Sequence, residues 1–147
     1  MKVILQRSKK SSVSVDNKVV GSIDSGLVIL VGFTEGDNET VIDKMINKII
    51  NLRIFNDENN IMNKSILEVG GSILSISQFT LYADVRKGRR PSYIKALNGD
   101  QSIKLYDLFN EKLKQYINVA TGIFGADMTV NISNDGPVTI IIESEDL

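Results

Sequence analysis

The chain has 147 residues, 17 basic and 18 acidic side chains, and a formal net charge of −1, with no Cys, His or Trp. That length fits one domain, 1–147, with a real core, and no apolar run reaches the roughly 18 residues that span a bilayer. The absence of Cys and His excludes disulfides, thiol nucleophiles, Fe–S clusters, a Ser-His-Asp triad and HExxH zinc chemistry, so any catalysis must come from hydroxyls, carboxylates, lysines, backbone amides or the substrate itself.

Val3-Ile4-Leu5 begins a strand, and nothing at the start reads as a signal peptide, so a cytoplasmic protein is expected. Ser12-Val13-Ser14-Val15 alternates with period two, and Asp16-Asn17-Lys18 is a turn before Val19–Ile23. Gly26–Gly32 is a continuous run rich in β-branched residues, the pattern of a strand buried on both faces. Asp37-Asn38 caps an amphipathic helix of roughly 13–15 residues whose apolar positions are Val41, Ile42, Met45, Ile46, Ile49 and Ile50. Arg53-Ile54-Phe55 reads as a short strand and 56–60 as a turn. Gly70-Gly71 precedes a strand from Ser72 to Phe79, and Arg86–Pro91 is a loop. A second helix is expected from about Asp100 to Tyr116, with Leu105, Tyr106, Phe109, Leu113 and Tyr116 on its apolar face. The chain closes with a strand at 128–133, a turn at Asn134-Asp135-Gly136-Pro137 and a strand at 138–142. Together these give an α+β fold: one β-rich domain, barrel-like or a two-layer sheet, with two main helices.

Four segments are candidates to carry chemistry. Ser77-Gln78-Phe79-Thr80 puts hydroxyls and an amide where a strand gives way to a loop, a favoured place for functional groups and equally the pattern of a plain strand terminus. Gly136-Pro137 can hold two carbonyl oxygens in a fixed direction, or simply form a hairpin turn. Arg86, Lys87, Arg89 and Arg90 flank a flexible Gly88, as a phosphate-following loop or a solvated one would. The small residues of Gly122–Met128 permit close backbone approach, for a ligand or for core packing. No metal-binding, paired-carboxylate or nucleotide-loop motif is present.

Taken together, these segments resemble the D-aminoacyl-tRNA deacylases of the bacterial and eukaryotic type. The likeness runs essentially end to end, through Gln6-Arg7, Asn51–Phe55, Met62-Asn63, Gly70-Gly71, Ser77–Leu81, Ala83-Asp84, Lys87-Gly88, Arg90-Pro91-Ser92, Leu105-Tyr106, Thr121-Gly122, Phe124–Met128 and Asn134–Thr139. The signatures SQxT and GPVT are both intact.

The resemblance implies a homodimer acting on the 3′ end of aminoacyl-tRNA, with no cofactor, metal, membrane or DNA partner. It implies that Gly136-Pro137 is cis and enters the partner subunit's pocket, where its carbonyls exclude L-aminoacyl groups by clash. Glycyl-tRNA, having no side chain to clash, becomes a second substrate. Ser77, Gln78, Phe79, Thr80 and Met128 would surround the terminal adenosine and the ester, and Arg7 would orient the Gly-Pro element. For catalysis, the N–H groups of Phe79 and Thr80 would hold the developing oxyanion while the 2′-hydroxyl of the terminal ribose assists; Thr80 as a nucleophile is the alternative. The basic loop would contact the tRNA. Ile123, where the family usually has Arg, and Ser102, where Ala is common, are departures that bear on affinity. Two rival functions remain at this stage: an RNA-binding dimer without catalysis, and a general hydrolase of small esters.

Overall fold

The computed structural model describes all residues, 1–147. Strands β1 (Lys2–Ser8), β2 (Ser11–Val15), β3 (Lys18–Ile23) and β4 (Gly26–Gly32) follow one another with short turns. Asp16 and Asn17 between β2 and β3 both take positive φ, 48° and 61°, as a two-residue hairpin turn requires. Helix α1 (Glu39–Asn51) follows, its first turn capped by Asn38 Oδ1, which accepts from the Val41 N–H at 3.2 Å. Two short strands, β5 (Phe55–Asn56) and β6 (Met62–Lys64), flank the turn expected at 56–60. Helix α2 (Ile66–Val69) is a single turn closed by a Ser65/Glu68 capping box. Then come β7 (Ser72–Ser77), helix α3 (Gly99–Leu113), β8 (Val119–Thr121), β9 (Thr129–Asn131) and β10 (Asn134–Glu143). No helix is long and apolar enough to cross a membrane.

The strands form a five-stranded sheet in the order β10-β1-β4-β7-β8 and a three-stranded sheet in the order β3-β2-β9. Neither sheet closes, so the barrel-like form of the expected α+β architecture is replaced by stacked layers. The reason lies in β4 and β7. Leu27, Ile29, Val31 and Ile73 point to one side and join Ile42, Met45, Ile46, Ile49, Phe109 and Leu113 of α1 and α3 in the main core. Val28, Leu74 and Ile76 point to the other side and join Val13 and Ile23 of the small sheet. The order is therefore helices, large sheet, small sheet. Both faces of β4 are covered, as its unbroken apolar run requires, and each fully buried Ile or Leu contributes about 1.5–3 kcal/mol.

Parallel pairing of β4 with β7 and of β7 with β8 places α1 and α3 as crossovers. Gly26 starts β4 with φ 138°, and a Cβ there would collide with the Ser72 carbonyl oxygen; glycine is what lets β4 meet β7 in this register.

Three expectations need correction. The strand beginning at Ser72 stops at Ser77, because Phe79–Tyr82 winds into a 3-10 turn. Helix α3 ends at Leu113; the Tyr116 N–H bonds the Leu113 carbonyl in a tight turn, and its ring is 57% exposed instead of lying on the apolar face. Residues 134–137 are not a hairpin turn. They open β10, with Asn134 paired to Ser8 across an irregularity in the ladder. The chain does not reverse here at all: β9 runs antiparallel to β2 and β10 antiparallel to β1 in one continuing direction, and between them the Ser133 carbonyl accepts from the Lys9 N–H at 2.9 Å while the Ser133 N–H donates to Ser11 Oγ at 3.0 Å.

Candidate active site

The end of β7 fixes the first wall of a cavity. The Gln78 N–H donates to the Val31 carbonyl at 2.7 Å, holding the chain against β4 up to the point where the 3-10 turn begins. Phe79 and Thr80 are the first two residues of that turn, so their N–H groups have no partner within it. The Gln78 amide donates to Thr80 Oγ1 at 2.6 Å, tying the two side chains together.

The cavity encloses about 660 Å3 and is lined by Ser77, Gln78 and Phe79 on this wall, and by Phe124, Gly125, Ala126, Asp127 and Met128 on the facing one. Met128 is seated there by Gly122, where a Cβ would strike its sulfur. Thr80 lies beside the cavity and is not among its lining residues. At the mouth, Phe79 and Tyr93 meet edge to face, with ring centroids 5.1 Å apart. The rest of the lining includes Tyr93, Ala96, Leu97, Asn98 and Ser102. Sequence reasoning missed Tyr93 and residues 96–98. The only local signal was Asn98, which caps α3 by accepting from the Gln101 N–H at 3.1 Å. Ser102 is buried against the cavity, whereas Ile123 is 47% exposed and outside its lining.

Behind this wall, Tyr106 of α3 packs on Phe124 with centroids 5.9 Å apart, and its hydroxyl donates to the Ser75 carbonyl at 2.8 Å. Burial, above all, raises the Tyr106 pKa above the ordinary phenol value.

Gly136 and Pro137 lie elsewhere. Both are exposed, their peptide bond is cis, and neither lines the cavity. Arg7 holds this element from below. Its Nη1 donates to the Ile54 carbonyl at 2.8 Å and to Asn56 Oδ1 at 3.3 Å. Its Nε sits 3.1 Å from Asp135 Oδ2, near enough for an ion pair but off the hydrogen-bond direction. Nη2 lies against Gly136, so close that a Cβ there would stand 3.2 Å from it. Asn134 braces the same segment by donating to the carbonyls of Arg7 and Val138 at 2.9 and 3.0 Å. Its Oδ1 accepts from Gln6 Nε2 at 3.0 Å and from Thr139 Oγ1 at 3.2 Å. Gln6, Asn134 and Thr139 stood in the segments that carry the resemblance but were assigned no role from sequence; the structure shows them bracing the Gly-Pro pair.

Arg86, Lys87, Arg89 and Arg90 are exposed on a loop whose neck is closed by two backbone bonds between Asp84 and Ser92, at 2.8 and 2.9 Å. Arg86 grips Asp84, with Nε 2.9 Å from Oδ1, which holds that carboxyl well below the usual range. Lys87, Arg89 and Arg90 form no ion pair within the chain.

The family model described as D-Tyr-tRNA(Tyr) deacylase matches residues 4–143. The chain belongs to that family. It is 55% identical to the D-aminoacyl-tRNA deacylase of Clostridium botulinum (strain Langeland / NCTC 10281 / Type F), over 99% of this chain and 98% of that one. Identity to the protein of the same name from Bacillus cytotoxicus is 56%, over 99% of this chain and all (100%) of that one. Among solved structures, one titled c-Myc DNA Unwinding Element Binding Protein superposes with a TM-score of 0.92 at 37% identity, covering 97% of this chain and 98% of that chain. A probable eukaryotic D-amino acid tRNA deacylase shares the fold, with a TM-score of 0.83 at 19% identity, covering 96% and 97% of the two chains. The family expected from the sequence is thus the family found, and as a member of the deacylases this chain is an enzyme, a hydrolase.

Proposed function

We propose that this chain is a homodimeric, cytoplasmic deacylase that hydrolyses the ester between a D-amino acid and the 3′ end of tRNA, and that it also clears glycine from mischarged tRNA(Ala). One observation carries the reading beyond family membership. The signature cavity wall at Ser77–Phe79 and the exposed, braced Gly136–Pro137 element do not meet within one chain. An exposed element held by Arg7, Asn134 and Thr139 is suited to act on something outside its own subunit, and the partner's cavity is the natural target.

In the assembled site, the terminal adenosine lies against Ser77, Gln78, Phe79 and Met128. The Gly136–Pro137 carbonyls of the other subunit face the substrate's α-carbon. A D-residue turns its side chain away from them, an L-residue drives it into them, and glycine has none to exclude. Backbone atoms suit this task because they discriminate handedness without reading the side chain. Lys87, Arg89, Arg90 and, in part, Arg86 contact the tRNA phosphates.

The chemistry follows from what the chain lacks and what the substrate brings. An ester is already activated relative to an amide. Water adds to the carbonyl carbon, the oxyanion is held by the Phe79 and Thr80 N–H groups, and the bond to the ribose 3′ oxygen breaks as that oxygen takes up a proton. The vicinal 2′-hydroxyl positions the water and hydrogen-bonds the departing oxygen. The hydroxyl of Thr80 is bonded to the Gln78 amide, a group that does not take a proton from a hydroxyl at neutral pH, which favours the substrate hydroxyl over a Thr80 nucleophile.

The test is release of tyrosine from D-tyrosyl-tRNA and L-tyrosyl-tRNA by the purified protein. Rapid hydrolysis of the D-ester alone is expected. Equal rates for the two, or none for the D-ester, would sink the proposal, and turnover of a free D-tyrosine ester at the tRNA rate would point to a general esterase.

A further inference from the structure

A second groove, of about 800 Å3, adjoins the active-site cavity and shares Ala96, Leu97 and Asn98 with it as a common wall. Its own lining includes Lys95 and Lys104, the amide of Gln101, and Ile94, whose side chain is 90% exposed. Neither lysine has a carboxylate within ion-pair distance. Two acids line the groove. Asp37 is already taken up by the Met1 ammonium at 2.5 Å and the Thr34 N–H at 2.8 Å, which leaves Glu35 as the one uncommitted carboxylate against two free cations.

We propose that this groove holds the single-stranded RNA nucleotides that precede the terminal adenosine, a step that rests on the reading of the cavity as the adenosine site. An RNA chain whose last nucleoside fills the cavity must leave it over one of the walls. The wall at 96–98 leads directly into a trough with two cations for phosphates, an exposed apolar side chain on which a base can rest, and an amide for a base edge. Cations that track the backbone beside a surface that accepts base faces are the usual means of holding a single strand without reading its sequence. The basic loop at 86–90 then meets RNA further from the ester, and the groove supplies local grip on the unpaired end.

Binding of an uncharged, 5′-labelled RNA hairpin with a single-stranded 3′ CCA end, followed by fluorescence anisotropy across a salt series, tests this without requiring hydrolysis. Three proteins are compared: wild type, Lys95→Gln/Lys104→Gln, and the loop variant Lys87→Gln/Arg90→Gln. The groove variant is expected to bind the CCA hairpin about tenfold more weakly, and its log–log salt slope to fall by about 1.4, the value for two lost contacts to a single strand. Against the same hairpin ending blunt it is expected to match wild type, while the loop variant weakens both. Wild-type affinity of the groove variant for the CCA hairpin would overturn the proposal, as would equal losses on both hairpins. Failure of the adenosine-site reading registers separately, in the D-tyrosyl-tRNA assay. Both lysines are exposed, so the substitutions leave the core untouched.

Discussion

Thr80 is the residue on which the two catalytic readings divide. Its hydroxyl accepts from Gln78 Nε2 at 2.6 Å and lies beside the cavity, while its N–H heads the 3-10 turn. If the backbone N–H carries the role, the side chain is dispensable for chemistry and matters only for holding Gln78. Thr80→Ala is therefore expected to keep kcat within about threefold of wild type, under ~1 kcal/mol of transition-state stabilisation. In parallel, D-tyrosyl-tRNA ending in 2′-deoxyadenosine is expected to be cleaved at least about 100-fold more slowly than the ribose form, the scale of one lost positioned catalytic group. Single-turnover rates for the two proteins and the two substrates settle it. A Thr80→Ala enzyme that is dead toward D-tyrosyl-tRNA, together with full activity on the deoxy substrate, would transfer the role to the hydroxyl.

Behind the cavity, Tyr106 of α3 is hydrogen-bonded to Ser75 of β7 twice: its hydroxyl donates to the Ser75 carbonyl at 2.8 Å and accepts from Ser75 Oγ at 3.4 Å. Tyr106→Phe leaves that carbonyl without this donor, a loss of about 1–2 kcal/mol, seen as a fall in Tm of roughly 3–8 °C. The same contact gives a pH dependence. Burial, the largest influence, raises the Tyr106 pKa above its ordinary value of 10.0, so the folded state keeps a proton that the unfolded chain releases. Stability from this group is whole below pH 10 and declines as pH rises above it. Urea midpoints measured from pH 9 upward are expected to fall more gently in Tyr106→Phe than in wild type; identical slopes would show that the phenol contributes nothing to the alkaline limb. Much at this scale was legible in the sequence. The period of α1 and the unbroken run of β4 are direct imprints of a face to be buried, and both elements stand where they were expected. The end of β7 and the start of β10 were not legible. Ser77-Gln78-Phe79 continues an apolar strand pattern, and Asn134–Pro137 has turn chemistry, yet a bond to Val31 in one place and the ladder to Ser8 in the other decide their conformations. Those partners are distant in sequence. For the same reason only Ser77, Gln78 and Phe79 of the two signatures fall on the cavity wall, while Tyr93, Ala96, Leu97 and Asn98 joined the cavity through packing.

The large sheet states the case for a dimer at the scale of the molecule. Ile141, Ile4, Leu30 and Ile76 are register partners in turn, one row across β10, β1, β4 and β7 on the face away from the helices. The small sheet covers one end of this row and not the other: Ile76 is 1% exposed, Ile4 and Leu30 are half-buried, and Ile141 is 63% exposed. An apolar row that runs out from under its cover, on the strand that also carries Gly136–Pro137, is what a subunit interface needs. For the proposed dimer we therefore expect Ile141→Asp to weaken association, because a carboxylate would have to lose its water on assembly, while an already exposed position costs the monomer fold little. Sedimentation of wild type and variant over a concentration series reads the assembly directly. If each cavity is completed by the other subunit's Gly136–Pro137, chiral selectivity must follow assembly: the variant should lose discrimination between D- and L-tyrosyl-tRNA in step with its monomer fraction, and wild type should do the same on sufficient dilution. A monomeric Ile141→Asp protein that still cleaves only the D-ester at the wild-type rate would show that one chain suffices, and would remove the cross-subunit role of the Gly-Pro element.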